Sequence, residues 1–189
     1  MNQPQTQTKI INGINVNQAD QLVEAITEDY TKGIAKFAVN TAWQGGSKTK
    51  TKVASCELGG EQLARNFTIH TDEPEQLFGT NTAPNPQEIL MAALNACMLV
   101  AYVENASMLG IALEKLEIET QGTLDLRGAF GLDETVKPGN EEMRCTVHIK
   151  GNGTPEQFEE IHQTVMATSP NFWNITNPVK VQPELCVES

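Results

Sequence analysis

Asn85 to Gly110 reads NPQEILMAALNACMLVAYVENASMLG, and the rest of the chain has to be arranged around this stretch. An Asn-Pro pair opens it, with Pro86 in a first helical position where a missing N–H costs nothing. Two apolar runs follow, Ile89 to Leu94 and Ala96 to Val103, interrupted by Asn95 and followed by Glu104. Good helix formers dominate, and Gly110 stands where a left-handed C-cap belongs. A helix apolar almost all round is expected in the middle of a packed protein. It is too short and too interrupted to be read as a membrane span. One thiol, Cys97, lies at its centre, and function is expected there.

On the N-terminal side, residues 1–13 are polar and expected to fray. Asn17 and Asp20 resemble a helix start, and Leu22, Ile26 and Tyr30 recur four apart, which predicts a short amphipathic helix ending at Gly33. From Ile34 the period becomes two: Phe37, Val39, Thr41 and Trp43 alternate as a strand does. The stretch QGGSKTKTK is read as a turn, Val53 to Leu58 as a second strand and Asn66–His70 as a third, in an antiparallel meander. Residues 72–86, DEPEQLFGTNTAPNP, form an irregular connection with three prolines, either a functional loop or a plain crossover.

On the C-terminal side the period of two returns, with Leu116, Ile118, Leu124 and Leu126 on one face. Residues 128–140 form a loop, and Met143, Cys145, Val147 and Ile149 mark the next strand. Thr154-Pro155-Glu156-Gln157 is a capping box that starts a helix with Phe158, Ile161 and Val165 on its apolar face. That helix ends near Ser169-Pro170, and NPVKVQP reads as a last short strand. Strands, buried helix, strands, helix and strand make an α+β protein. Residues 1–33 are expected to be a polar segment with a short helix, and residues 34–189 the main domain.

The 189 residues carry a net charge of −11, which argues against nucleic acid and against an anionic membrane surface. MNQPQTQTKI has no apolar signal core, so a cytoplasmic, reducing location is expected and the four cysteines are not read as a disulfide framework. The cysteines at 56, 97, 145 and 186 and the histidines at 70, 148 and 162 have no metal-ligand spacing, so neither metal nor cofactor is expected.

A free cysteine commonly acts as a small hydrophobe, and the helix dipole fades well before Cys97, about three turns in. A reactive thiolate there needs a cation from another segment. Glu88 precedes Cys97 by nine residues and points to the opposite helix face, while Glu104 follows by seven on the same face but two turns away. Completing a site therefore takes another segment or a second chain. Cys145 and Cys56 read as inward strand positions, and Cys186 lies near the chain end.

Several ordered pieces carry a resemblance. Asp72-Glu73-Pro74 precedes a glycine-containing loop; Pro84 to Leu90, PNPQEIL, is similar to a P-x-P-x-E-L-L helix start, and Ala92 to Cys97 reads A-A-L-x-x-C. RGAFGLD from Arg127, KPG from Lys137 and TNPV from Thr176 follow in order. Over about residues 35–184 this set resembles the OsmC/Ohr family of hydroperoxide-handling proteins, through its OsmC-like branch. The resemblance implies antiparallel sheets around long buried central helices in an intertwined homodimer, with active sites at the subunit interface. It matches Cys97 to a peroxidatic cysteine and Glu88 to the glutamate that organises it, although the N-P-E form of the motif puts that position on Gln87. The family's arginine has no clear match: the glycine turn after Trp43 carries Lys48 and Lys50, and Arg65 is the best substitute.

Where the family's second cysteine begins a Cys-Pro pair, this chain reads Ser169-Pro170, and serine cannot form the resolving disulfide. The implied activity is a thiol-dependent peroxidase acting on a small hydroperoxide with an external thiol reductant, its apolar pocket lined by Leu94, Met98 and Ala101. The alternative is a non-catalytic stress-associated protein that binds a small apolar ligand at the dimer interface, with Cys97 as ordinary wall.

Overall fold

Asn12 and Gly13 both adopt positive φ, the geometry a two-residue hairpin turn requires, and they join β1 (Ile10–Ile11) to β2 (Ile14–Asn15). The end of the segment expected to fray is therefore a small hairpin. The computed structural model describes residues 8–188, so the expectation for residues 1–7 lies outside them. The chain forms two compact units, one through Ala92 and one from Ala93, and the main domain read from the sequence contributes to both.

In the first unit, α1 (Val16–Glu28) is capped by Asn15, whose side chain accepts the Gln18 N–H. The helix starts and stops earlier than its apolar period suggests. Asp29 accepts the Thr31 N–H and hydroxyl, which turns Tyr30–Gly33 into a separate 3-10 turn. A four-strand antiparallel sheet follows, with β5 (Thr49–Leu58) as its spine. One edge of β5 pairs with β3 (Ala35–Phe37) and β4 (Asn40–Trp43), the other with β6 (Glu61–Thr71).

Two expectations are corrected here. The single strand from Ile34 to Trp43 is broken between Phe37 and Asn40, and TKTK, Thr49 to Lys52, belongs to β5 rather than to a turn. Its alternation is itself a strand period. Thr49 meets Thr71 at 2.6 Å and Thr51 meets Thr41 at 2.8 Å, cross-strand hydroxyl pairs of the kind that stabilise a ladder. The third strand is also longer than Asn66–His70. Large apolar side chains of this sheet remain in water, Phe37 at 81% and Trp43 at 74% exposure.

The connection after β6 is ordered by one carboxylate. Asp72, buried, accepts the hydroxyls of Ser47 (2.7 Å), Thr80 (2.7 Å) and Thr82 (2.8 Å), and the N–H groups of Glu73, Thr80 and Thr82. The Ser47 hydroxyl above all, then that of Thr80, holds this carboxyl far below the usual carboxylate range. Gly79 is required here, because a Cβ would stand 1.7 Å from the Glu73 carbonyl oxygen.

Asn85 and Glu88 close a reciprocal box: the Asn85 side chain accepts the Glu88 N–H at 2.9 Å, and Glu88 accepts the Asn85 N–H at 2.7 Å. From it runs α2 (Pro86–Met108), beginning in the first unit and continuing in the second. Gly110, at φ +76°, follows its end. By length and composition this 23-residue helix could cross a membrane, with a mean hydropathy of 1.5 over its most apolar window.

In the second unit α2 buries one stripe, Leu94, Met98, Tyr102 and Ala106, spaced four apart. It packs with Ile118 of β7 (Leu113–Gly122) and with Ile161 and Val165 of α4 (Pro155–Thr168). Burial all round the helix, expected from its composition, is not found within one chain: Val100 is 56% exposed. Strand β8 (Met143–Gly151) pairs antiparallel with β7, and α3 (Leu126–Ala129) lies between them in sequence. Leu124 and Leu126 therefore fall outside the strand whose period they continue. The Thr154 capping box forms as read.

A further helix, α5 (Pro170–Thr176), was not expected, and NPVKVQP forms no strand. Val179 and Val181 alternate without a ladder partner among the described residues, so their period has no sheet to join. The architecture is a mixed helix and sheet, α+β, protein.

Candidate functional site

A residue before proline is pushed out of the helical region, and a proline readily begins a helix. Ser169-Pro170 uses both effects. Ser169, at φ −68° and ψ 117°, ends α4 and is the N-cap of α5. Its N–H bonds the Val165 carbonyl and its carbonyl accepts the Trp173 N–H. Its hydroxyl makes no capping bond. Instead the side chain, 1% exposed, turns to Cys97, with Oγ 3.4 Å from Sγ. Two residues on, the Asn171 side-chain amide donates to the Ala93 carbonyl at 2.9 Å, one helical turn before Cys97. The turn of α2 that carries the thiol is thus held by the start of α5.

The second inward thiol has different company. Thr120 Oγ1 lies 2.5 Å from the Asn95 side-chain oxygen and 3.2 Å from Cys145 Sγ, while the Asn95 amide donates to the Ile118 carbonyl at 3.2 Å. This network ties α2 to β7 and β8, and Asn95, met in the sequence only as an interruption, is its anchor. Further along α2, Tyr102 bonds His162 Nδ1 of α4, and the rings stack with centroids 6.1 Å apart. Burial first, then the charge of Glu159, pushes the Tyr102 phenol up to about 12. Neither network was found from the sequence. The only signal was a polar residue on each of two otherwise apolar faces.

The predicted site residues fall in different units. Cys97, half-buried, belongs to the second. Glu88 belongs to the first, where it completes the helix-start box, and so does Arg65, whose guanidinium lies 4.9 Å from the centre of the Phe67 ring. Leu94 and Met98, expected to line an apolar pocket, are packed into the core of the second unit instead. A cavity of about 630 Å³ in that unit lies among the polar residues Gln121, Asp125, Arg127, Lys137, Glu141 and Arg144, and includes none of the predicted site residues. Arg127 grips Asp125 through two nitrogens, so its charge is already engaged. The four cysteines are free, and no metal-holding group of His, Cys, Asp and Glu occurs among the described residues.

A family model of OsmC-like proteins matches residues 79–184, which include Cys97 and Ser169. No curated protein matches the sequence. Among solved structures, an OsmC-like protein from Mycoplasma pneumoniae is similar at 17% identity, covering 76% of this chain and 89% of that one with a TM-score of 0.60. A protein from Psychrobacter arcticus, described as an osmotic stress induced and detoxification response protein, gives 18%, 74%, 88% and 0.57. An organic hydroperoxide resistance protein from Legionella pneumophila gives 18%, 74%, 88% and 0.47. The family match spans more than half of the sequence and takes in the helix, the thiol and the Ser-Pro junction, and the chain belongs to the OsmC-like family.

Proposed function

We propose that this chain is a thiol-dependent peroxidase that reduces small organic or inorganic hydroperoxides through Cys97, in a stress response of the cytoplasm. The observation that carries this reading is the 3.4 Å contact between the Cys97 sulfur and the buried Ser169 hydroxyl, at the position where the family pairs its two cysteines. The Cys97 thiolate attacks one peroxide oxygen, an S–O bond forms, the O–O bond breaks and the alkoxide leaves to be protonated. Sulfur is oxidised by two electrons to a sulfenic acid, and the hydroperoxide is reduced to an alcohol or, for hydrogen peroxide, to water. An external thiol condenses with the sulfenic acid, releasing water and forming a mixed disulfide, and a second thiol frees Cys97. Arg65 or a lysine supplies the activating cation and Glu88 orients it, roles carried by the family resemblance.

The working form is a homodimer. Phe37, Trp43 and Phe67 of the sheet are exposed, as are Leu90 and Val100 on α2, more large apolar surface than a free monomer tolerates. An interface above about 2,000 Å² is expected. A folded, stable monomer in sedimentation at micromolar concentration refutes it.

The missing resolving thiol favours a second reading, a non-catalytic stress-associated protein that holds a small apolar ligand at the dimer interface. Intact mass after one equivalent of hydroperoxide separates the two. One oxygen gained on the peptide carrying Cys97 supports the peroxidase. No change at that peptide refutes it and leaves the binding protein.

A further inference from the structure

Two thiols of the second unit touch hydroxyls, and counting protons distinguishes them. The Thr120 hydroxyl has one hydrogen and two neighbours, Asn95 Oδ1 at 2.5 Å and Cys145 Sγ at 3.2 Å. An amide oxygen cannot donate, so the hydroxyl proton goes to Asn95. Cys145 Sγ therefore receives only the weaker, 3.2 Å share of a hydroxyl proton that Asn95 holds at 2.5 Å. Asn95 is fixed in this sense because its NH₂ group is committed to the Ile118 carbonyl.

Ser169 presents the opposite case. Its hydroxyl has no other hydrogen-bond partner among the described residues, it forgoes the capping bond its position offers, and its side chain is buried from water. A buried hydroxyl proton left without an acceptor is costly, so the Cys97 sulfur receives it. Cys97 Sγ is thus the sole acceptor of its hydroxyl among the described residues, whereas Cys145 Sγ competes with an amide oxygen for the proton it meets.

Resting on the peroxidase reading and extending it, we propose that Ser169 is the positioning residue of Cys97. It donates its hydroxyl hydrogen bond to the sulfur and thereby makes Cys97, not Cys145, the reactive thiol. The residue that replaces the resolving cysteine thus prepares the first step instead of completing the last. Asn171 assists by holding the preceding helical turn through Ala93.

The test uses the full chain and iodoacetamide, a probe that requires no peroxidase activity, with peptide mass mapping to separate the cysteines. Cys97 is expected to alkylate well before Cys145. Ser169→Ala should slow Cys97 by roughly tenfold, the size of one hydrogen bond to a charged group, and leave Cys145 unchanged. Ser169→Thr, which keeps the hydroxyl, should restore most of the rate, as a purely packing role would not.

A folded Ser169→Ala protein that alkylates Cys97 at the parent rate overturns the proposal, as does faster alkylation of Cys145 in the parent. If Ser169→Ala does not fold, Ser169→Cys preserves the shape while replacing the donor by a weaker one. It should also slow Cys97 and, with one equivalent of hydroperoxide, lose two hydrogens in an internal disulfide. Parent-rate alkylation of Cys97 in that variant overturns the proposal too. Should the alkylation pattern hold while the parent protein consumes no hydroperoxide, the peroxidase reading fails and the Ser169 assignment stands.

Discussion

In the unit from Ala93 onward, Met98, Tyr102, Ile161 and Val165 are closed off from water by two helices and a strand pair. In the unit through Ala92, Phe37, Trp43 and Phe67 stand in water on a sheet held by its ladder, by threonine pairs and by the donors around Asp72. An apolar core resists unfolding through area removed from water, whereas a ladder with exposed faces gains little from its side chains until something covers them. The first unit is therefore held mainly by its hydrogen bonds, and the second is the part that can hold a thiol in fixed geometry.

The strongest way to break this contrast is to open the closed core. Met98→Ala should cost about 2–5 kcal/mol in chemical denaturation, as large-to-small changes at fully buried positions do. Phe37→Ser with Trp43→Ser should act differently: little change in the unfolding of a single chain, but conversion of the proposed dimer to monomer, seen as loss of concentration dependence in the unfolding midpoint and in sedimentation. An equally large loss from both kinds of change at every concentration would mean that the two units are not stabilised differently.

Acid should find the first unit. The Asp72 carboxyl lies below its ordinary value of 3.8, so the unfolded chain takes up the proton first and stability falls as pH drops below about 3.8. Above that value the contribution is complete. Asp72→Asn should lower the unfolding temperature at neutral pH and flatten this acid limb, both readable by circular dichroism.

Alkali should find the second unit. Tyr102 is raised from 10.0 to about 12, so stability is complete below pH 10 and is lost as pH rises from there through about 12, where the unfolded phenol ionises and the folded one does not. Tyr102→Phe should remove this limb and cost about 1–3 kcal/mol at neutral pH by leaving His162 without its partner. The smallest effect is expected at a helix end: Thr154→Ala removes the bond to the Gln157 N–H, worth about 1 kcal/mol.

Much of this was legible because it is local. The Thr154 box, Pro86 at a helix start and Gly110 after its end all follow from backbone groups satisfied within a few residues. The elements misread were those whose pattern needs a distant partner. TKTK alternates as a strand but becomes one only because β4 and β6 flank it, whereas Val179 and Val181 alternate and find no ladder. Leu124 and Leu126 keep the period of β7 past its end, where Asp125 caps a short helix through the Arg127 N–H.

The candidate site divides in the same way. By itself the sequence determined that a thiol lies mid-helix in an apolar run, that a Ser169-Pro170 pair ends the later helix, and that α2 begins in a proline-rich approach. Spacing and composition contain those facts. Only the tertiary structure decided that the Ser169 hydroxyl meets Cys97 across 72 residues, and that Cys145 meets a hydroxyl whose proton is already committed to Asn95. Hydrogen-bond direction depends on every acceptor within reach of a proton, and those acceptors come from segments brought together only by packing.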